Sequence, residues 1–349
     1  MSGGVDSSTA AALLKEQGYD VIGISMKLWD YPDDANKFAG CCSLDDINDA
    51  RRVADKLDIP FYVVNMEDVF SKEVVDYFVS SYLNGETPNP CLKCNQILKF
   101  QVLLKKAMEL EADFLATGHY ARIIHNDRYK LLKGIDNTKD QSYFLFTLTQ
   151  EQMSKIMFPL GNMTKKDVRN HAKRFGLKTA EKKESQDICF VPDGQYPDFI
   201  IKRLGTFIKS GDIVDKNGNI LGTHDGLYKY TIGQRKGLGI ARGKPQYVID
   251  IDIKSNMVIV GDKDEAFSIG LIAKELNWIG IEKLNEQIEV ESKIRYRHKG
   301  VKSIIKPAGE GRARVEFSKP ECAVTPGQAV VFYKEDEVIG GGWIEKRLS

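Results

Sequence analysis

Apolar positions recur at helical spacing in some stretches of the first part of the chain and form short continuous runs in others. The helical spacing predicts helices over 8–17, 44–57, 69–83 and 97–110. The apolar runs within DVIGISMKLW, PFYVVNM and ADFLATGHYA predict buried strands. Because strands and helices alternate, we expect a parallel sheet with helices on both faces and ligands at the carboxyl ends of its strands.

The pattern changes from about Thr206 onward. Glycines, short β-rich runs and turn signals such as KNGN replace the helices, and from Leu271 on the runs predict strands that form a small barrel. We therefore predict an α/β protein with three domains. A Rossmann-like parallel-sheet domain spans 1–205, a small central domain spans 206–268, and a C-terminal β-barrel spans 269–349.

Composition narrows the class of protein. The chain has 349 residues, of which 42% are hydrophobic, which is enough for packed cores. No apolar run reaches the ~20 residues that span a bilayer, and no basic stretch precedes an apolar one at the N-terminus. We therefore expect a cytoplasmic protein that does not act on a membrane. The net charge of +1 by itself indicates no nucleic-acid partner.

Six cysteines are few for this length, which argues against structural disulfides and for catalysis or metal binding. TPNPCLKCN places Cys91 and Cys94 in a C-x-x-C pair after a proline-stiffened turn, but no second pair exists to complete a structural zinc site. Cys189 in ESQDICFV is a third candidate that only the fold could bring to the pair. The remaining thiols are interpreted as buried and inert: Cys41, Cys42 and Cys322.

The opening stretch MSGGVDSSTAAALL combines a glycine loop with a helix start. Hydroxyl side chains are predicted to cap that helix: Ser7, Ser8 and Thr9. Gly18 is predicted to end it. Gly3 and Gly4 allow the backbone to approach a ligand closely, and a helix N-terminus favours phosphate or pyrophosphate. The alternative is a capped surface helix after a flexible terminus. The loop lacks the Gly-Lys-Ser/Thr of a Walker motif.

The segment KIRYRHKG carries most of the local positive charge. If it forms a strand, one face holds four cations: Lys293, Arg295, Arg297 and Lys299. Such a strip could follow the phosphates of a nucleic acid. The alternative is a solvated strand whose charge is balanced by nearby glutamates: Glu282, Glu286, Glu289 and Glu291.

Seven motifs occur in a fixed order: SGGVDSS, TPNPCLKCN, ATGHYAR, KDQSYFL, ESQDICF, YTIGQRKGLGI and PGQAVVFY. Together they resemble the tRNA-specific 2-thiouridylases, a family of PP-loop ATP pyrophosphatases, along essentially the whole chain. The resemblance implies ATP-dependent replacement of the C2 oxygen of the tRNA wobble uridine by sulfur. It also implies that 1–205 is a PP-loop ATP-binding catalytic domain and that 206–268 is a tRNA-binding domain. In this family a buried strand precedes the loop. We therefore expect that first strand to be missing here and the native start to lie about ten residues upstream, with a buried strand of typically ~5–6 residues.

The resemblance assigns roles by position in this sequence. Cys94 matches the nucleophile, and Cys189 matches the cysteine that carries a persulfide. Nucleotide-contacting positions are Met1, Ser2, Gly3, Gly4, Val5, Asp6, Ser7, Ser8, Met26 and Gly118. Magnesium would neutralise the ATP phosphates, with Asp6 as the most plausible ligand. The target base would face Asn89, Pro90 and Cys91. Contacts with tRNA are implied for His119, Lys139, Asp140, Gln141, Arg295, Tyr296 and Gln328, and for His119 the alternative is a hydrogen-bonded residue lining the sheet edge.

Two mechanisms stay open within the resemblance, because some members carry Asp where this chain has Cys91. In the first, a persulfide relay ends in a Cys94–Cys189 disulfide. In the second, Cys91, Cys94 and Cys189 hold a [4Fe-4S] cluster whose open iron binds sulfide. The implied partners are the tRNAs for lysine, glutamate and glutamine, and a cysteine desulfurase or a sulfur-relay protein.

Two other functions compete with thiolation. A PP-loop ligase acting on a small molecule would also adenylate an oxygen, but it has no use for Cys94 and Cys189. A non-catalytic RNA-binding or metal-binding protein would have lost the ATP chemistry. Exchange of pyrophosphate into ATP, measured with and without tRNA, discriminates among the three.

Overall fold

The computed structural model describes residues 1–29, 44–182, 188–191, 195–205, 209–240 and 243–348. The chain divides into two compact units. Unit 1 comprises Met1–Val75, Pro90–Gln195 and Asp336–Val338, and unit 2 comprises Asp76–Asn89, Tyr196–Glu335 and Ile339–Ser349. Cys41 and Cys42 lie outside the described residues. None of the helices in the described ranges is long and apolar enough to cross a bilayer.

The helices are α1 Val5–Glu16, α2 Leu44–Leu57, α3 Glu67–Phe70, α4 Asp76–Leu83, α5 Pro90–Lys93, α6 Leu104–Glu109, α7 Gln150–Met153, α8 Lys165–Arg174 and α9 Tyr196–Leu204. The strands of unit 1 are β1 Gly23–Lys27, β2 Phe61–Asn65, β3 Leu115–Ala116, β4 Ala121–His125, β5 Tyr129–Lys133 and β6 Ile156–Met157. Those of the central sheet are β7 Gly211–Asp215, β8 Ile220–His224, β9 Tyr247–Asp252 and β10 Met257–Gly261. The last six are β11 Phe267–Trp278, β12 Ile288–Lys293, β13 Val301–Pro307, β14 Ala313–Cys322, β15 Ala329–Lys334 and β16 Glu337–Leu348.

Parallel pairing in unit 1 confirms the predicted α/β class. β1 lies parallel to β2, and β3 lies parallel to β6, in two separate two-stranded sheets. The helices bury small and aliphatic side chains: Val5, Ala10 and Leu13 of α1 share a core with Val53 of α2 and Val168 of α8. In parallel sheets, ligands bind at the carboxyl ends of the strands, so we look for the site in the loops that follow β1, β2, β3 and β6.

Two predicted helices differ from the structure at their N-termini. α2 has the predicted bounds, but α1 begins at Val5 instead of Ser8. The helix predicted over 97–110 already begins at Pro90 and continues through a π-helical stretch, Cys94–Leu103, into α6. Proline suits the first helical turn, where no backbone N–H donor is needed. The C-x-x-C pair consequently lies on a helix, which starts at the proline where a turn was predicted.

Unit 2 contains a central sheet and a barrel, as predicted. The central sheet has the order β8-β7-β10-β9, with β7 and β10 parallel. The six C-terminal strands follow the order β11-β14-β13-β12-β15-β16, and pairing of β16 with β11 closes the barrel. Alternate positions of these strands fill its interior, including Leu271, Ile305, Val315, Phe332 and Ile344.

The predicted basic strand is wrong. β12 ends at Lys293, and the next residues form a turn in which the His298 N–H donates to the Arg295 carbonyl at 3.0 Å. Ile294 and His298, at the two ends of the turn, are buried. Arg295, Arg297 and Lys299 are nevertheless exposed, so the predicted charged surface exists on a turn.

Candidate active site

The opening loop leaves the N-terminus of α1 without a side-chain cap. Gly4 is the N-cap residue in an extended conformation. The predicted hydroxyl caps are wrong, because the side chains turn back into the helix. Ser8 Oγ donates to the Gly4 carbonyl at 2.9 Å and Thr9 Oγ1 donates to the Val5 carbonyl at 2.7 Å. The N–H groups and the positive end of the helix dipole are therefore open to an anion.

Close packing fixes the shape of this loop. Gly3 has φ +65°, and a Cβ there would clash with the backbone oxygen of Asp46. A Cβ at Gly118 would lie 2.8 Å from the carbonyl carbon of Asp6 and 2.9 Å from the amide nitrogen of Ser7. The loop and the TGHY segment therefore meet, as expected for two segments at one sheet edge.

The start of the chain lies beside β1. The Met1 amino group donates to the Ile24 carbonyl, and Ser25 Oγ donates to the Met1 carbonyl. Met26 follows on the same strand, one residue before its end. Ser2 N donates to Ser7 Oγ at 3.1 Å, which closes the loop on itself. Met1 and Ser2 thus connect β1 to the N-terminus of α1.

Asp6 is already paired within unit 1. Lys165 Nζ lies 2.8 and 2.9 Å from its two carboxylate oxygens, and the Tyr120 hydroxyl donates to Oδ1 at 2.7 Å. The Lys165 side chain is only 12% exposed. A magnesium ion bound to Asp6 would stand next to this ammonium group, and repulsion between two cations argues against Asp6 as a metal ligand in this arrangement.

The Asp6 cluster extends into the segment predicted to contact tRNA. Asp136 Oδ2 accepts from Lys165 N at 2.9 Å, and Gln141 Oε1 accepts from Tyr120 N at 3.0 Å. Burial opposes ionisation of Asp136, but hydrogen bonds from Thr138 and from the Lys165 backbone outweigh it and lower its pKa. The nucleotide loop and residues 139–141 are therefore held in one hydrogen-bonded network.

Lys182 supports the loop from the side of α2. Its ammonium donates to Asp46 Oδ1 at 2.7 Å, to Asp49 Oδ2 at 2.6 Å and to the Gly3 carbonyl at 3.2 Å. Burial opposes the charge, yet the hydrogen bonds with Asp46 and Asp49 raise the pKa of Lys182. In a trans peptide C=O and N–H point in opposite directions, so holding the Gly3 carbonyl turns the Gly4 N–H away from α2.

The candidate sulfur-handling thiols lie in the same unit. Cys94 begins the π-helical stretch and is half-buried, whereas Cys91 one turn earlier is exposed. Cys189 is half-buried beside Phe190, whose ring contacts Phe70 at 5.5 Å edge-to-face. α3, which carries Phe70, also packs against the stretch that begins with Cys94. α3 thus contacts the residue that follows Cys189 and the stretch that begins with Cys94.

Cys322 is half-buried, where burial was predicted. Across the described ranges, no three His, Cys, Asp or Glu side chains are grouped to hold a metal ion.

Three family models match in sequence: a tRNA methyl transferase HUP domain over 1–193, a tRNA methyl transferase PRC-barrel domain over 197–262, and an aminomethyltransferase beta-barrel domain over 268–344. The tRNA-specific 2-thiouridylase MnmA of Geotalea uraniireducens is 58% identical, covering 100% of this chain and 94% of the relative. That of Carboxydothermus hydrogenoformans is 51% identical, covering 100% and 97%.

The chain belongs to the tRNA-specific 2-thiouridylase family. Its members are tRNA-modifying enzymes that use ATP, so the resemblance found in the sequence is confirmed. A solved structure, the NMN synthetase of Francisella tularensis, is 19% identical with a TM-score of 0.31 over 60% of this chain and 76% of its own.

His119 of this 2-thiouridylase family member is buried. Its Nδ1 lies 2.7 Å from Thr117 Oγ1, and its ring packs against Phe100 and Phe158. Burial, and to a smaller extent Lys99, lower the pKa of His119 well below 6.5, so the ring is neutral at pH 7. This geometry matches the alternative of a hydrogen-bonded residue at the sheet edge.

In unit 2 the family-matched Gln328 holds the segment that precedes the C-x-x-C helix. Its Nε2 donates to the Thr87 carbonyl at 2.9 Å and to the Pro88 carbonyl at 3.2 Å. Arg295 is exposed and Tyr296 is half-buried on the basic turn. Gln328 thus acts on protein backbone, whereas the basic turn presents its charge to solvent.

Sequence reasoning missed Lys165, Lys182 and Tyr120. For Lys165 a signal was available in the sequence. Thr164 and Asp167 form a capping box, which predicts a helix that starts at Lys165. For Lys182 no local signal exists, because its partners lie on α2 and in the opening loop, far away in the sequence.

Proposed function

We propose that this protein uses ATP to replace O2 of the wobble uridine (U34) of tRNA by sulfur. The observation that supports it best is the joint placement, in unit 1, of an uncapped helix N-terminus and two half-buried thiols. An anion-binding loop alone would serve any ATP enzyme, and thiols alone would serve any redox protein. Both together are what a thiolation reaction requires.

In the first step, uridine O2 attacks the α-phosphorus of ATP and pyrophosphate leaves. The residues of the opening loop would bind the phosphates through backbone N–H groups, with Lys182 holding the Gly3–Gly4 peptide in place. Adenylation turns O2 into part of a good leaving group, AMP. Asp6, already neutralised by Lys165, would support the loop without repelling the phosphates.

In the second step, the terminal sulfur of a Cys189 persulfide attacks C2 and AMP leaves with the original O2. The Cys94 thiolate then attacks Cys189 Sγ, which breaks its bond to the transferred sulfur and leaves a C2=S group on the base. The products are 2-thiouridine and a Cys94–Cys189 disulfide. A dithiol reductant must restore the two thiols before the next turnover.

Two cofactors are considered, magnesium and an iron–sulfur cluster. Magnesium would arrive on the ATP phosphates, because Asp6 is engaged by Lys165. Cys94 and Cys189 together supply the two thiols that the persulfide relay needs, so we propose the relay. An ultraviolet–visible spectrum and an iron assay of anaerobically purified protein test this choice. A [4Fe-4S] absorption band with stoichiometric iron would reverse it.

The substrate would be the tRNAs for lysine, glutamate and glutamine in the cytoplasm. The target base would face Asn89, Pro90 and Cys91, and Gln328 fixes the backbone just before them. Lys139, Asp140 and Gln141 would contact tRNA from the network around Asp6. A cysteine desulfurase or a sulfur-relay protein would supply the persulfide sulfur.

The sulfur-handling assignment is tested by replacing single thiols. Cys94→Ser and Cys189→Ser are each expected to abolish 2-thiouridine in tRNA while ATP affinity stays unchanged, because the loop is intact. Cys322→Ser is the matched control, a half-buried thiol of unit 2 outside the proposed chemistry. The readout is mass spectrometry of nucleosides from tRNA digests. Wild-type levels of 2-thiouridine in either of the first two variants would contradict the assignment.

A small-molecule ligase is the second candidate, favoured only by the adenylating loop. Pyrophosphate exchange into ATP discriminates between the two. Exchange that depends on tRNA supports thiolation, because uridine O2 is then the acceptor. Exchange that is equally fast without tRNA supports the ligase.

A further inference from the structure

The motif YTIGQRKGLGI has no role in the chemistry above, yet the structure holds its centre rigidly in unit 2. Gly233 N donates to the Val248 carbonyl at 2.8 Å, and Val248 N donates to the Gln234 carbonyl at 2.9 Å. Ile232 and Leu238 are buried on either side. The residues between them therefore have little freedom to move.

The side chain of Gln234 braces this loop from within. Its Oε1 accepts from Thr231 N at 3.0 Å and its Nε2 donates to the Lys236 carbonyl at 3.1 Å. Arg235 and Lys236 are exposed, and neither forms an ion pair with any residue that the structure describes. Two cations are thus displayed on a braced loop, and no carboxylate in the described part of the chain forms an ion pair with them.

A single connector, residues 321–328, ties this loop to the basic turn. A Cβ at Gly233 would lie 2.5 Å from Cβ of Ala323, so the loop packs directly on the connector. Arg295 Nη1 donates to the Cys322 carbonyl at 3.3 Å, and His298 Nε2 lies 3.1 Å from Glu321 Oε2. The loop and the basic turn therefore flank neighbouring residues of the connector.

The same connector reaches the segment that leads to the target-base residues. Gln328 holds the carbonyls of Thr87 and Pro88, and the Pro326 carbonyl accepts from Thr87 N at 2.9 Å. The hydroxyl groups of Thr87 and Thr231 lie 3.4 Å apart, which joins this segment to the loop as well. Three segments distant in sequence are thus held by one short piece of chain.

We propose that Arg235 and Lys236 bind backbone phosphates of the tRNA, as an extension of the surface formed by Arg295, Arg297 and Lys299. This inference rests on the proposed function, because it takes tRNA as the substrate. Braced cations without ion-pair partners suit phosphate, since little order is lost on binding. Their link to the segment before Asn89 favours RNA over an acidic protein partner.

The test is tRNA binding by the full chain across a salt series. Arg235→Ala/Lys236→Ala is expected to weaken binding about tenfold at low salt and to reduce the slope of log K against log salt by roughly 1.4 to 1.8, for two lost phosphate contacts. Lys254→Ala/Lys283→Ala is the matched control, because it removes the same charge from exposed lysines that belong neither to the loop nor to the basic turn. Its affinity and slope are expected to stay within about twofold of the wild type.

A second variant separates charge from bracing. Gln234→Leu keeps both cations but removes the brace, so it is expected to weaken binding a few-fold with the salt slope unchanged. Equal affinities for the Arg235/Lys236 variant and its control would overturn the inference, while the proposed function would stand if wild type still forms 2-thiouridine. The Arg235/Lys236 variant could also keep its tRNA affinity and lose thiolation only when a protein supplies the sulfur. That result would overturn the inference and show that the loop binds the sulfur-donor protein.

Discussion

The opening loop of unit 1 and the basic surface of unit 2 both meet phosphate in the proposed function, but they are built from different atoms. The loop offers backbone N–H groups at an uncapped helix N-terminus, shaped by glycines and held from behind by Lys182. The basic surface offers exposed side-chain cations on a turn and a loop tied to one connector.

This difference predicts different sensitivities. Backbone donors have one usable geometry, so a small steric change removes several of them at once. Exposed cations act nearly independently and mainly through counterion release, so each contributes modestly and depends on salt. The loop should therefore respond sharply to shape and weakly to salt, and the basic surface should do the reverse.

The largest effect is expected for Gly3→Ala, whose Cβ would clash with the Asp46 carbonyl. ATP affinity should fall by roughly 100-fold or more, since displacing the loop breaks several charge-assisted hydrogen bonds of about 1.5–3 kcal/mol each. Gly18→Ala is the matched control, with φ +89° but open space around it, and should cost only backbone strain of roughly 1–2 kcal/mol in stability. Equal losses of ATP affinity in both variants would show that strain, not packing, governs the loop.

Lys182→Met should weaken ATP binding about tenfold, the equivalent of one charged hydrogen bond, and leave tRNA affinity unchanged. Lys56→Met is the control, because Lys56 Nζ also donates to a backbone carbonyl, that of Gly176, without touching the loop. Calorimetric titration with ATP measures the difference. A loss in both variants alike would mean that Lys182 contributes only to stability. Lys182→Arg should recover part of the affinity.

Arg295→Ala/Arg297→Ala should weaken tRNA binding by about five- to tenfold and flatten its salt dependence. Arg314→Ala is the control, because that guanidinium is already paired with Glu316 at 2.9 Å. ATP affinity should not change in either variant. If tRNA affinity and its salt slope both stay unchanged, the basic turn does not bind tRNA. The proposed difference between the opening loop and the basic surface would then be wrong.

The smallest effect is a pH dependence of stability in both units. The folded-state pKa is lowered from 6.5 for His119, by burial and Lys99, and for His298, where burial outweighs the hydrogen bond to Glu321. Below pH 6.5 the unfolded chain takes up a proton on each histidine before the folded protein does. The free energy of unfolding therefore decreases as the pH falls from 6.5 through the folded pKa values, by at most about 1.4 kcal/mol per pH unit for each histidine. Urea unfolding at several pH values measures this loss. His119→Gln should flatten the curve more than His298→Gln, and the opposite order would contradict the stronger burial effect at His119.

Much of the fold was predictable, because it depends on local patterns. α2, the parallel strands and the closed barrel follow from hydrophobic periodicity and turn residues. Two features were predicted wrongly because several local interactions were possible for the same residues. Ser8 and Thr9 donate to carbonyls inside α1 instead of capping it, and Pro90 starts a helix where a turn was expected. Periodicity does not report which way a hydroxyl group donates.

The sequence by itself determined the order and type of the elements, the glycines that the opening loop requires, and the motifs that identify the family. Only the tertiary structure decided that Lys182 reaches Gly3, that Lys165 neutralises Asp6, and that residues 321–328 gather three separate segments. These contacts join residues far apart in the chain. Their formation depends on how whole elements pack, and no local spacing of residue types encodes that.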